Sequence, residues 1–157
     1  MLRRFPLLVA ALAAVAIVPA TASAQKQAPD VKRLRVQPAA FSPLPTGNTV
    51  VFSGGALVTF QIFDGADVYF TIKREKTGKR AGGKCVTGKA KAKKKACRMT
   101  TDVPGGFFTF VGISGSNEFR LSGRVADKPL APGIYRLVAK AEGTAARSSF
   151  TRFKILK

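Results

Sequence analysis

The sequence predicts an all-β protein: an antiparallel β-sandwich of seven or eight short strands with a long, basic hairpin loop tied by a disulfide. Three observations carry that expectation. Apolar residues recur at every second position in several segments, turn-forming residues separate those segments, and no stretch has a convincing helical period.

The chain opens with Arg3 and Arg4 before an uncharged run from Phe5 to Ala24, and Ala22-Ser23-Ala24 has the small-x-small form of a signal-peptidase site. The expectation is a signal peptide over residues 1–24, a linker over 25–31 and one domain over 32–157. Retention of the apolar segment as an anchor is the alternative, since about 20 apolar residues can span a bilayer. Pro19 interrupts the segment and favours cleavage. Cleavage removes 24 of 157 residues and leaves 133, enough for one domain with a real core. It also removes two arginines, lowering the net charge from +19 to +17. The protein is then expected outside the cytoplasm, secreted or associated with the cell envelope, with no transmembrane span. A charge of that size attracts polyanions, whatever the fold.

Within the domain, residues 31–36 begin a first strand that breaks and changes direction at Pro38 and Pro43. Val58, Phe60 and Ile62 alternate in ALVTFQIF, and Val68, Phe70 and Ile72 repeat the spacing in DVYFTIK. Asp64-Gly65-Ala66 joins them by a hairpin or another close connection. A further strand, FFTFVGI, lies between Pro104-Gly105-Gly106 and Gly115-Ser116-Asn117. NEFRLSGRV then alternates Phe119, Leu121 and Val125 with charged residues. IYRLVAKAE places Tyr135, Leu137, Ala139 and Ala141 on one side, residues 143–147 form a loop, and SSFTRFKIL supplies the last strand.

The two cysteines bracket the most basic part of the chain. Lys89, Lys91, Lys93, Lys94 and Lys95 stand between them, with Lys84 and Arg98 immediately outside. Two cysteines in an exported chain make one pair, so Cys85 is expected to bond Cys97. Zinc needs more ligands than these, and a reactive cysteine needs a partner base, yet the chain has no histidine. Closing a loop of eleven residues contributes about 3 kcal/mol in the chain-entropy description. Residues 73–98 hold twelve Lys or Arg against one acid, Glu75. Two readings stand. The stretch is either a polyanion-binding finger, using Lys79, Arg80, Lys84, Lys89, Lys91, Lys93, Lys94, Lys95 and Arg98, or a solvated loop that keeps an edge soluble. It contains no aromatic residue for stacking on bases or rings.

Other chemistry is poorly supplied. Residues 78–84 fit G-x-x-x-x-G-K, but Cys85 stands where a phosphate-binding loop needs Ser or Thr, and no amphipathic helix follows. Asp64 and Asp67 give too few oxygens for calcium. The eight acids are scattered, histidine is absent, and Ser114 in GISGS does not sit in a nucleophile elbow. No catalytic residue, metal site or cofactor is expected.

The carboxy-terminal half, SNEFRLSGRVADKPLAPGIYRLVAKAEGTAARSSFTRFKI, resembles immunoglobulin-like or fibronectin-type-III-like modules of secreted actinobacterial proteins through its L-x-P-G-x-Y-x-L-x-A-x-A pattern. The Cys-bracketed basic insertion GKRAGGKCVTGKAKAKKKACR is also similar to one in that group. The likeness covers roughly residues 32–157. It implies an immunoglobulin-like sandwich in which Tyr135 begins a central strand and anchors a corner. The chain lacks the Trp and the inter-sheet cysteine pair of true immunoglobulin domains, so its core must rest on Phe, Val, Ile and Leu. The implied role is non-catalytic surface contact, structural or adhesive, in or near the envelope. The alternative is capture of an anionic envelope polymer or lipid surface by the basic loop, nucleic acid being bound only as a non-specific polyanion. An unidentified envelope protein docking on a sheet edge is a third option, and the sequence selects neither an edge nor an oligomeric state.

Overall fold

A computed structural model describes residues 30–86, 95–143 and 148–157. The expected signal peptide, most of the expected linker, Lys89, Lys91, Lys93 and Lys94, and nearly all of the predicted loop at 143–147 lie outside the described residues. In chain order the strands are β1 (Lys32–Gln37), β2 (Ala40–Phe41), β3 (Val50–Val51), β4 (Ala56–Ile62), β5 (Ala66–Ala81) and β6 (Lys84–Val86). They continue as β7 (Ala96–Gly112), β8 (Gly115–Leu121), β9 (Arg124–Val125), β10 (Lys128–Pro129), β11 (Gly133–Ala141) and β12 (Ser149–Ile155). Seven of them have six residues or more; the others are two or three residues long.

The strands form an all-β sandwich. The smaller sheet has the order β1-β4-β8-β3, all antiparallel. The larger runs β2-β12-β11-β5, with both β6 and β7 on β5, and β9 pairs with β10 as a short ribbon. Inward positions are those the alternation predicts: Val58, Phe60, Ile62, Val68, Phe70, Ile72, Leu137, Ala139 and Ile155 are all buried. The sheets meet through phenylalanines. Phe70 of the larger sheet lies 5.4 Å from Phe60 and 5.0 Å from Phe119 of the smaller, both edge-to-face. That geometry suits ring quadrupoles and packs the space between the sheets without a Trp.

Three local expectations change. First, Asp64-Gly65 does not close a hairpin, because β4 and β5 lie in different sheets; the link is the close-connection alternative. Their shared apolar alternation reflects two inner faces packed on each other. Secondly, NEFRLSGRV is not one strand. Ser122 is buried and donates to the Asn48 carbonyl at 2.6 Å, while Gly123 adopts φ +78° where a Cβ would lie 3.0 Å from Pro43 Cα. The chain turns there, and Val125 reaches the core from β9. Thirdly, the limbs of the basic loop are strands: β5 and β7 stay paired from Ala66↔Gly112 to Lys79↔Ala96. The expected break between Gln37 and Pro43 is a change of sheet, from β1 beside β4 to β2, parallel with β12.

Candidate functional site

The basic stretch forms a finger that continues the larger sheet beyond the sandwich. Thr71 pairs with Phe107 and Lys73 with Asp102, so residues 103–106 of β7 lie opposite Ile72 alone. This bulge marks where the finger leaves the body. Past it, β5 is flanked by β7 along one edge and β6 along the other: Lys79 faces both Ala96 and Val86.

Cys85 and Cys97 are bonded, with their Cα atoms 5.9 Å apart. They belong to β6 and β7, so the bridge passes over the strand between them. It crosses at Gly78, the partner of Cys97. A Cβ there would lie 2.9 Å from Cys85 Sγ and 2.7 Å from the Val86 carbonyl oxygen, so glycine permits the crossing.

Alternation along β5 and β7 sorts the finger's cations between two faces. Arg74, Lys76 and Arg80 share the inner face with the disulfide. Lys73, Lys79, Lys84 and Arg98 share the outer one. Lys95 accepts a backbone bond from Arg80 N at 3.1 Å. The residues expected to bind polyanions, where described, are therefore not gathered on a single side of the finger. On the inner side, Arg74, Lys76 and Lys128 rim a groove of 660 Å³ floored partly by Val103, Leu130 and Tyr135.

The outer face of the finger runs on into the outer face of the larger sheet, where registry assembles a row the sequence does not display. Asp102, Lys73, Arg136 and Arg152 stand opposite one another across four strands. Lys73 pairs with Asp102 at 2.7 Å. Arg136 and Arg152 are both held by Glu75, whose side chain is only 5% exposed: each gives its Nε to Oε1, Arg152 at 2.7 Å. Burial pushes the Glu75 carboxyl upward, but the hydrogen bonds and charges of the two arginines outweigh it, so the pKa lies below its ordinary value. Each arginine meets Glu75 through Nε, so the end of its guanidinium, where the two terminal nitrogens form a fork suited to carboxylate, sulfate or phosphate, is not spent on that ion pair. Lys140 and Lys154 are exposed on the same face.

Aromatic residues, absent from the basic stretch itself, stand in the neighbouring rows. Tyr69 stacks on Phe107 with ring centroids 5.9 Å apart, and the Arg136 guanidinium lies 4.8 Å over the Phe150 ring. Tyr69 donates its hydroxyl to Glu142 at 2.7 Å, which raises its pKa. Of the remaining arginines, Arg124 donates to the carbonyls of Leu44 and Asp127, and Arg120 belongs to the smaller sheet.

Neither a family model nor a curated protein matches this sequence. Among the described residues, no three His, Cys, Asp or Glu side chains are grouped to hold a metal ion, and no helix is long and apolar enough to cross a membrane. Tyr135 is the third residue of β11, and its hydroxyl donates to the Ala131 carbonyl at 2.7 Å. Burial raises its pKa, with Arg74 acting in the opposite sense.

Sequence reasoning missed Glu75, Gly78 and the aromatic rows. Glu75 had a signal, as the one acid among twelve cations. Gly78 had none, because the crossing depends on which strand lies between the cysteines.

Proposed function

We propose that this chain is a non-catalytic, exported module of immunoglobulin-like or fibronectin-type-III-like topology that works by surface contact in or near the cell envelope, and that its contact is an anionic polymer. The observation that carries this is the row of Lys73, Arg136 and Arg152, with two guanidiniums oriented by one buried carboxylate and continuous with the finger's outer cations. A row of fixed cations along a strand-to-strand axis fits a repeating anion better than a single small one. The topology is supported by the pairing of β1, β4 and β8 against β12, β11, β5 and β7, and by the Tyr135 hydroxyl reaching back four residues to Ala131. Export is supported by the Cys85–Cys97 bond, since such bonds persist in oxidising compartments.

A second reading keeps the module but makes it a spacer or adhesive unit whose finger only maintains solubility. It is favoured by the division of the finger's cations between two faces, as expected of a ribbon solvated all round. The two are separated by presenting the exported protein with purified anionic envelope polymer, anionic vesicles and DNA at about 50 and 200 mM salt. Retention of the polymer at the higher salt, with loss of the other two, supports polymer capture. Equal, weak and equally salt-sensitive binding to all three leaves only generic charge and the spacer.

A further inference from the structure

We infer that the free edge of β7 is a self-association surface, and that the exported protein forms a two-fold dimer in which β7 of one copy pairs antiparallel with β7 of a second about Thr109. This goes beyond polymer capture, which uses a different face.

Among the described strands β7 pairs with β5 alone, so along Phe107–Gly112 its other edge offers unpaired backbone groups. Sheets blunt such edges with lysine, proline or a bulge. Residues 103–117 carry no charge, and the proline and bulge at 103–106 protect only the finger side. What remains is apolar and open: Val111 is 77% exposed and Ile113 67%, with Phe107 also exposed. Beside the edge lies a groove of 310 Å³ between the two sheets, lined by Val50, Val51, Leu57, Phe110 and Phe119, with Phe52 fully exposed at its rim.

Three features select a second copy as the occupant. The sequence Phe107-Phe108-Thr109-Phe110-Val111 is nearly palindromic in character. Antiparallel pairing about Thr109 sets Phe107 against Val111 of the second copy on the outer face, and Phe108 against Phe110 on the inner one, which are favourable cross-strand pairs. The groove also carries Glu118 and Arg120, an acid and a base on one wall, as a two-fold interface needs to be complementary to itself. Finally, antiparallel pairing sends the two fingers in opposite directions, so the strongest like charges stay farther apart than the screening length of about 8 Å at physiological salt. The outer faces of the two larger sheets then become one continuous surface.

The test is sedimentation velocity of the exported protein, recovered after expression with its own leader, between about 50 and 200 mM salt. A dimer is expected whose dissociation constant falls as salt rises, because the opposing force is like-charge repulsion; polymer binding changes in the opposite sense. Thr109 is exposed, so Thr109→Lys leaves the core intact while placing two like charges together at the axis. It should weaken the dimer at least tenfold and leave polymer binding by the monomer in place. Thr109→Cys should cross-link copies through residue 109 under mild oxidation. A monomer at all concentrations, a dimer indifferent to Thr109→Lys, or growth beyond the dimer overturns the inference.

Discussion

Glu75 explains how the larger sheet tolerates Arg136 directly opposite Arg152, a placement that is ordinarily repulsive. One carboxylate, shielded from water, neutralises part of both charges and fixes their planes. The sign of its pH dependence follows from the lowered pKa. Its stabilising contribution is fully present above its ordinary value of 4.5 and is lost as pH falls through the lowered one. Glu75→Gln should therefore lower stability by about 1–2 kcal/mol at neutral pH, the partly exposed arginines keeping the cost small. Urea titrations at successive pH values check this: the gap between variant and wild type should close in acid, and a gap independent of pH would count against the ion triad. Gly78 makes an independent prediction. Gly78→Ala pushes a Cβ against Cys85 Sγ and the Val86 carbonyl, so strand β6 or the bridge must move. Thiol titration after brief mild reduction should find the variant's bridge opened faster than that of the wild type.

At the level of elements, the sandwich and the disulfide-tied basic hairpin were legible, and the long strand pairing within the hairpin's limbs was not. Val58, Phe60 and Ile62, or Tyr135, Leu137 and Ala139, announce themselves because one side of each strand meets the core and the other meets water. Beyond Lys73 and before Asp102, both sides of β5 and β7 meet water or long cationic side chains. The period-two signal vanishes there although pairing continues. NEFRLSGRV misled for the opposite reason: its apolar spacing runs through Ser122 and Gly123, where a buried hydroxyl and a left-handed glycine turn the chain. The disulfide was readable from cysteine number and the expected compartment, whereas its crossing over β5 was not. Because the bridge lies outside the buried apolar cluster, it should hold the finger and not the body. Replacing Cys85 and Cys97 together by Ser is expected to speed tryptic cleavage in the basic stretch markedly. The urea midpoint of the sandwich should barely move, since the constraint of about 3 kcal/mol acts on a local loop. A large fall in that midpoint would mean that the finger is part of the folding unit.

On the scale of the molecule, sequence shows how much charge there is and strand pairing decides where it points. Arg136, Lys140, Arg152 and Lys154 come from the last two strands, far along the chain from the basic stretch. They join its outer face only because β11 pairs with β5 and β12 with β11. Arg120 and Arg124, equally basic on paper, are drawn off to the smaller sheet and to backbone carbonyls. Polymer capture as proposed draws on both contributors, finger and sheet face. The most direct measurement is the slope of log affinity against log salt for the anionic polymer, with DNA as the calibrated polyanion, in three proteins. These are the wild type, a finger variant with Lys89, Lys91, Lys93, Lys94 and Lys95 changed to Gln, and a face variant carrying Lys140→Gln and Lys154→Gln. Both variants should bind more weakly, each with a slope shallower by about 0.7–0.9 for every anionic group that the variant no longer neutralises. An unchanged slope in the face variant, or no polymer bound by the wild type even at about 50 mM salt, would contradict it.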